Sequence, residues 1–114
     1  MTALATDAIG RREHVTDTLD LRQARLMQLT LDRPATYQVG DPLPPFWHYL
    51  YFNPHIRHSD LGSDGHEQLG RFIPDFGLPR RMWAGGRVSI EAPLRLGEAV
   101  EKTSTIRAIE EKDG

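Results

Sequence analysis

The amino-acid sequence predicts a small α+β domain, and three local patterns lead to that prediction. Residues 20–31 carry apolar side chains at helical spacing, residues 13–18 alternate in the manner of a strand, and residues 82–91 and 99–109 have the composition of two longer strands. One or two helices and about three strands fit a chain of 114 residues, which is long enough for a single domain at most.

The composition excludes several function classes. Hydrophobic residues make up 39% of the chain and charged residues 26%, which is ordinary for a globular domain. A net charge of −2, with the basic residues scattered, argues against nucleic-acid binding. The chain has no cysteine, which removes disulfides, cysteine nucleophiles and thiolate metal sites. Its apolar runs are too short to span a bilayer and its first residues lack a signal-peptide pattern, so we expect no membrane association and a cytoplasmic location.

The clearest local element is an amphipathic helix over residues 20–31. Asp20 is suited to cap it, because its carboxylate can accept hydrogen bonds from the first free backbone N–H groups. The predicted apolar face consists of Leu21, Ala24, Leu26, Met27, Leu29 and Leu31. Gln28 is expected on the polar face, and Arg33-Pro34 ends the helix. Residues 1–12, which precede the first strand, are small, polar and then basic and are expected to be a flexible lead-in, with one helical turn at residues 7–10.

The aromatic stretch at residues 46–52 allows two interpretations. Pro44 and Pro45 suit the first positions of a helix, whereas aromatic side chains also favour a strand. Periodicity does not decide, because the stretch is apolar nearly throughout, and this continuity predicts burial on all sides. We favour a buried helix. Residues 53–77 then form a long polar connection, of the kind that serves as a functional lid or is locally disordered.

Residues 78–109 predict a long β-hairpin with Gly85 and Gly86 inside its first arm. Glycine within a strand indicates either a bulge or a place where a ligand or another backbone approaches closely. Asp113-Gly114 is a favoured pair for a tight turn, so a further strand is expected beyond it. Residues 99–109 would then form an open sheet edge, and the fold is expected to be incomplete.

Motifs for familiar chemistries are absent or fail. His55 and His58 stand near Asp60 and Asp64, but they match no standard metal-ligand spacing, and polar loop residues are the favoured interpretation. A calcium loop fails because glycine stands at its third position and Arg71 at its twelfth. Nucleophile-elbow, P-loop and dinucleotide motifs are missing, and no general acid–base pair emerges from the spacing.

A few residues suggest ligand binding instead. Arg80 and Arg81 suit a phosphate, while the neighbouring indole of Trp83 could pack on a ring or a pantetheine arm. The favoured alternative is an ordinary surface arginine pair beside a buried tryptophan. For Trp47, Tyr49 and Tyr51 a core or interface role is the favoured interpretation, and a ligand platform is the alternative.

Four ordered blocks carry a resemblance to a known family: residues 43–52 (LPPFWHYLYF), 61–66 (LGSDGH), 78–87 (LPRRMWAGGR) and 93–98 (PLRLGE). Together they resemble the N-terminal half of MaoC-like, type 2 hydroxyacyl-thioester dehydratases, a family that includes 3-methylfumaryl-CoA (mesaconyl-CoA) hydratases. The resemblance implies a hot-dog fold, in which a curved antiparallel sheet wraps around one long helix that would begin at residues 46–52. Residues 13–114 would form a partial hot-dog domain behind a lead-in at residues 1–12.

The resemblance also implies a function. Family members add water reversibly to the double bond of an enoyl thioester carried by CoA or an acyl-carrier protein, without a cofactor. The family's catalytic acid and histidine lie in its C-terminal half, and neither His55 nor His66 has that sequence context. We therefore expect no catalytic residue here, an inactive isolated chain, and a second hot-dog half or a homo-oligomeric (dimer) partner.

The residues expected to line the acyl-CoA tunnel are Trp47, Arg80, Arg81, Trp83, Gly85 and Gly86. The alternatives are a non-catalytic hot-dog module for binding or assembly, and an inactive truncated fragment.

Overall fold

The computed structural model describes residues 7–63, 65–77 and 80–112. Its elements in chain order are strand β1 (Arg12–Thr18), helix α1 (Leu21–Thr30), the 3-10 helices Trp47–Leu50 and His58–Asp60, and strand β2 (Ala99–Thr105). One helix and a two-stranded sheet confirm the α+β prediction. Most of the lead-in, Asp64 and the turn predicted at Asp113-Gly114 lie outside the described residues.

Strands β1 and β2 pair with each other in an antiparallel sheet. Backbone hydrogen bonds continue the ladder beyond both ends, from Leu19 N to Glu98 O at 2.9 Å and from Ile106 N to Arg11 O at 3.0 Å. Across the strands, His14 Nδ1 lies 3.0 Å from Thr103 Oγ1. The strand predictions at residues 13–18 and 99–109 are thus confirmed in position, although β2 ends four residues early.

The predicted hairpin is wrong. Residues 80–90 have no regular secondary structure and are exposed, and the strand beside β2 is β1. The chain after Pro93 pairs instead with residues 41–43: Leu43 N donates to Leu94 O at 2.7 Å, and Leu96 N donates to Asp41 O at 2.9 Å. This pairing buries Leu96, which is 1% exposed, so packing of that side chain outweighs the local hairpin pattern.

A glycine turn then leads into β2. Gly97 has φ of +93°, a conformation that glycine adopts at no steric cost, and its N–H donates to Leu19 O at 2.7 Å. A Cβ atom at this position would lie 2.9 Å from Cγ1 of Val39, which is too close for an undisturbed contact. The turn therefore requires glycine for both backbone and packing reasons.

Helix α1 confirms the predicted element and its cap. Asp20 Oδ1 accepts a hydrogen bond from Arg22 N at 2.7 Å, and the helix gives way to a left-handed residue at Asp32, with φ of 60°. Its buried face differs from the prediction. Ala24 and Gln28 are buried, while three of the predicted apolar-face residues are about half exposed: Leu26, Leu29 and Leu31.

The chain divides into two compact units. One of them comprises Val15–Asn53 and Gly86–Lys102. Its core is small and consists of Leu19, Ala24, Leu43, Tyr51 and Leu96. The phenol of Tyr51 reaches the start of α1 and donates to Asp20 O at 2.6 Å. This core unites residues from α1, from the loop after it and from the turn before β2.

The aromatic stretch is not the predicted buried helix. It forms a single 3-10 turn, Trp47–Leu50, and left-handed residues flank it at Phe46 (φ 72°) and Phe52 (φ 62°). Phe46 is 57% exposed and Tyr49 67% exposed. Helical propagation stops at residues with positive φ, and the small core of this unit covers only Tyr51 completely among these aromatic side chains.

The other unit comprises Met1–His14, Pro54–Gly85 and Thr103–Gly114. Its long connection consists of local turns, including an antiparallel bridge between Leu61 and Glu67. Asp60 pairs with Arg57 at 3.2 Å and with Arg71 at 3.1 Å. The Arg11 guanidinium donates to the carbonyls of Arg71 and Phe72 and ties the lead-in to this connection.

Candidate functional site

The arginine–tryptophan segment predicted to bind substrate is exposed. Trp83 is 83% exposed and its neighbour Met82 is 86% exposed, so the alternative of a buried tryptophan is wrong. Arg80 is exposed, and Arg81 is exposed while its Nη2 donates to the carbonyl of Glu67 at 2.9 Å. Two adjacent cationic side chains followed by an accessible indole are chemically suited to an anionic ligand that carries a ring.

The two glycines lie in the same irregular stretch. Gly86 is exposed, and a Cβ atom built on Gly85 would meet no heavy atom of the described chain within 4 Å. A bulge is wrong here because no strand forms. Close approach by another group stays a prediction, because the space beside Gly85 is open.

Trp47 lies in the 3-10 turn and is partly buried. Its ring meets the ring of Tyr37 edge-on, with 5.6 Å between centroids and 78° between planes. Helix α1 holds Tyr37 in place: Arg25 Nε donates to Tyr37 O at 2.8 Å, and Gln28 Oε1 accepts from Tyr37 N at 3.1 Å. Gln28 Oε1 also accepts from the N–H of Thr36 at 3.1 Å. The buried amide of Gln28 therefore anchors the aromatic pair.

Beside this pair lies a cavity of about 540 Å³, which we call the proline groove. It is open to solvent on one side and is lined by residues of a single unit: Tyr37, Asp41, Pro42, Leu43, Pro44, Pro45, Phe46, His48, Ile90, Glu91, Ala92, Pro93 and Leu94. The antiparallel pairing of residues 41–43 with residues 94–96 joins its two walls.

Sequence reasoning missed the proline groove. It identified residues 41–45 as stiff loop and Pro93 as a break, and those prolines are the available signal. Their meeting depends on backbone pairing between segments about fifty residues apart, which no local pattern encodes.

Burial perturbs one titratable group of this unit, Tyr51. Desolvation raises the pKa of its phenol above the ordinary value, and the carboxylates of Asp20 and Asp17 act in the same direction. The phenol therefore stays protonated over the physiological range, where it serves as a hydrogen-bond donor to the start of α1.

A testable consequence concerns alkaline pH. A raised pKa means that the folded chain keeps a proton that the unfolded chain has lost, so this contribution to stability is complete below about pH 10 and disappears as pH rises through the folded pKa. We expect the urea midpoint to fall more steeply above pH 10 in the natural chain than in Tyr51→Phe. The variant should also lose about 1 kcal/mol at neutral pH, from the missing hydrogen bond. Parallel pH profiles for the two proteins would contradict this assignment.

Groups for metal binding do not assemble in the part of the chain that the structure describes. No set of three or more histidine, aspartate or glutamate residues there is arranged to hold an ion. His55 and His58 are exposed, which agrees with the prediction that both are polar loop residues.

None of the helices formed by the described residues has the length and apolarity of a membrane span.

Comparison with known proteins assigns the chain to a family. The family model for hydroxyacyl-thioester dehydratase type 2 matches residues 46–114, which is more than half of the chain. The mesaconyl-C(4)-CoA hydratase of Chloroflexus aurantiacus is 46% identical over 107 residues, covering 93% of this chain. The chain spans 38% of the length of that relative. The chain therefore belongs to the type 2 hydroxyacyl-thioester dehydratase family, and its α+β elements are part of that family's hot-dog fold.

Proposed function

We propose that the chain acts as the N-terminal hot-dog portion of an enoyl-CoA-type hydratase, which reversibly hydrates an unsaturated acyl thioester such as mesaconyl-CoA. The observation that carries the proposal is the 46% identity with mesaconyl-C(4)-CoA hydratase over 107 residues. In this reaction a hydroxyl group adds to one carbon of the double bond and a proton to the other, so the balance requires water alone.

Catalysis is proposed to reside in a part of the enzyme that this chain does not contain. The reaction needs a positioned base for water and a group that polarises the thioester carbonyl. His55, His58 and His66 are exposed, and the aligned region amounts to 38% of the relative. Either a second hot-dog half or a homo-oligomeric partner would supply the remaining groups.

Substrate binding is the role proposed for this portion. Arg80 and Arg81 would contact phosphate oxygens of the CoA carrier, and Trp83 would pack on its uncharged parts. The exposure of all three side chains supports that role, because each is accessible to a ligand. Trp47, Gly85 and Gly86 complete the proposed substrate-binding set. An acyl-carrier protein thioester is the alternative form of the substrate.

A chimera tests the proposal directly. In the C. aurantiacus relative, this chain would replace the 107 aligned residues, and loss of the conjugated thioester absorbance of mesaconyl-CoA would be followed. We expect the chimera to hydrate mesaconyl-CoA and the isolated chain to show no turnover. A folded chimera without activity, beside an active parent enzyme, would refute the proposal, and turnover by the isolated chain would refute the siting of the catalytic groups.

The arginine pair provides a finer test in the same chimera. Arg80→Gln with Arg81→Gln should raise KM for mesaconyl-CoA about tenfold with little change in kcat, because charge-assisted hydrogen bonds to the carrier contribute about 1.5–3 kcal/mol. Arg107→Gln, at an exposed position outside this segment, is the matched control. An unchanged KM in the double variant would remove these arginines from the site.

A non-catalytic module for binding or assembly is the second candidate function. The exposed apolar pair Met82 and Trp83 favours it, because large exposed apolar side chains mark interaction surfaces. A chimera that binds the thioester without turning it over would support this candidate. If the chain is an inactive truncated fragment, the chimera should neither bind the thioester nor turn it over.

A further inference from the structure

We propose that residues 57–71, which we call the ion-paired loop, position the side chain of Arg81 for an anionic ligand. This role rests on the proposed function, in which Arg81 contacts phosphate oxygens of the CoA carrier, and it adds residues that do not touch the ligand themselves. The positioning residues are Asp60, Glu67 and Arg71. All of them belong, with Arg81, to one compact unit of the chain.

Asp60 lies at the centre of the ion-paired loop, where its side chain is 22% exposed. One carboxylate oxygen lies 3.2 Å from Arg57 Nε, and the other lies 3.1 Å from Arg71 Nη2. The remaining terminal nitrogen of Arg71, Nη1, lies 3.7 Å from Glu67 Oε1. A single ion pair at a surface contributes little, whereas several charges that share partners restrain one another. The two ends of the loop are therefore linked through Asp60.

The backbone of Glu67 is restrained in the same loop. Glu67 forms an antiparallel bridge with Leu61, and the next residue, Gln68, donates from its backbone N–H to Asp60 O at 3.0 Å. The side chain of Glu67 is restrained as well, through its ion pair with Arg71. The direction of the Glu67 carbonyl is therefore set by contacts inside the loop, before any ligand arrives.

The Glu67 carbonyl is the part of the loop that contacts Arg81. It accepts a hydrogen bond from Arg81 Nη2 at 2.9 Å. A guanidinium group is planar and carries its N–H donors in a fixed fork, so a hydrogen bond at one nitrogen restricts the direction of the whole group. Arg81 is exposed and lies in a stretch without regular secondary structure, where ordering a long side chain on binding is costly. The contact with Glu67 removes part of that cost in advance.

Arg71→Lys alters the ion-pair network without changing its net charge. A lysine ammonium is a compact point charge, so it cannot contact both Asp60 and Glu67 in the forked geometry of a guanidinium. Calorimetry on the full 114-residue chain, with free CoA as the probe, should give a Kd that is about three- to tenfold weaker for this variant. Arg107→Lys, the same change at an exposed position of the same unit but outside the loop, should leave the Kd unchanged.

A measurement without ligand separates this role from the proposed function. The heteronuclear NOE of the Arg81 Nε–Hε group reports how far the side chain is restrained on the ps–ns timescale, and it should fall in Arg71→Lys but not in Arg107→Lys. A role in stability alone would shift the urea midpoint and leave the NOE unchanged.

An unchanged NOE in Arg71→Lys would overturn the positioning role, and so would an unchanged Kd for CoA. If CoA binding weakens in Arg80→Gln with Arg81→Gln, the substrate-binding role of the arginine pair stands in either case. If the natural chain does not bind CoA, that substrate-binding role is refuted, and the NOE alone decides whether the ion-paired loop positions Arg81.

Discussion

Leu96→Ala is expected to lower the free energy of unfolding by about 2–5 kcal/mol, the largest effect of any single change considered for this chain. Leu96 is 1% exposed and lies in the core with Leu19, Ala24, Leu43 and Tyr51. Truncation removes buried methyl and methylene groups and leaves a cavity that the surrounding backbone cannot fill, because three backbone hydrogen bonds hold residues 94–96 against residues 40–43. Urea denaturation followed by circular dichroism measures the change.

Leu94→Ala is the matched control. The residue has the same chemistry, lies two positions away on the same wall and is 39% exposed. It should lose about 1 kcal/mol or less, because less of its apolar surface leaves water on folding. Equal losses for the two variants would show that the turn before β2 does not contribute to the core in solution.

Gln28→Leu is expected to cost about 1–3 kcal/mol, although it replaces a polar side chain with an apolar one of similar size. The Gln28 amide is 5% exposed, and its Oε1 accepts hydrogen bonds from Thr36 N and Tyr37 N. Leucine leaves both N–H groups without that acceptor, and the loop that carries Tyr37 keeps the hydrogen bond from Arg25 but loses those to Gln28. Because Tyr37 packs edge-on against Trp47, the near-ultraviolet circular dichroism of Trp47 should weaken as well.

Two variants make that result specific. Gln28→Glu keeps an oxygen acceptor at the same place but buries a charge, so it should retain most of the stability that leucine loses only at acidic pH, where its carboxyl is neutral. Gln38→Leu changes an exposed glutamine in the same loop and should shift the unfolding midpoint little. If Gln28→Leu is as stable as Gln38→Leu, the buried amide does not anchor the loop.

The loop anchor also connects the helix to the proline groove. Tyr37 is part of the proline groove, and α1 positions it through Gln28 and Arg25. The position of Tyr37 in the groove therefore depends on an element that contributes no lining side chain of its own.

Local chemistry allowed several elements to be predicted. The Asp20 cap and the apolar spacing indicated α1, alternation indicated β1, and a strand-like composition indicated β2, all close to their observed bounds. These signals act over a few residues, through backbone hydrogen bonds and the periodicity of side chains. Four short blocks in order also indicated the family, which the family model and the C. aurantiacus relative support.

Other features depended on contacts that are distant along the chain. Gln28 has the composition of a polar-face residue, yet it is buried because a loop returns over it. The aromatic stretch has the composition of a core helix, yet the core of its unit is too small to cover Phe46 and Tyr49. Of the predicted substrate-binding residues, Trp83 is exposed as a ligand contact requires, whereas the proline groove was not predicted at all.

By itself, the sequence determined the α+β class, the capped helix, the positions of both strands and the family to which the chain belongs, because each follows from residues that are near neighbours or from a characteristic order of motifs. Only the tertiary structure decided that β2 pairs with β1, that residues 94–96 pair with residues 41–43, and that a groove opens between them. Strand patterns specify which residues can pair, whereas burial of Leu96 selects the partner.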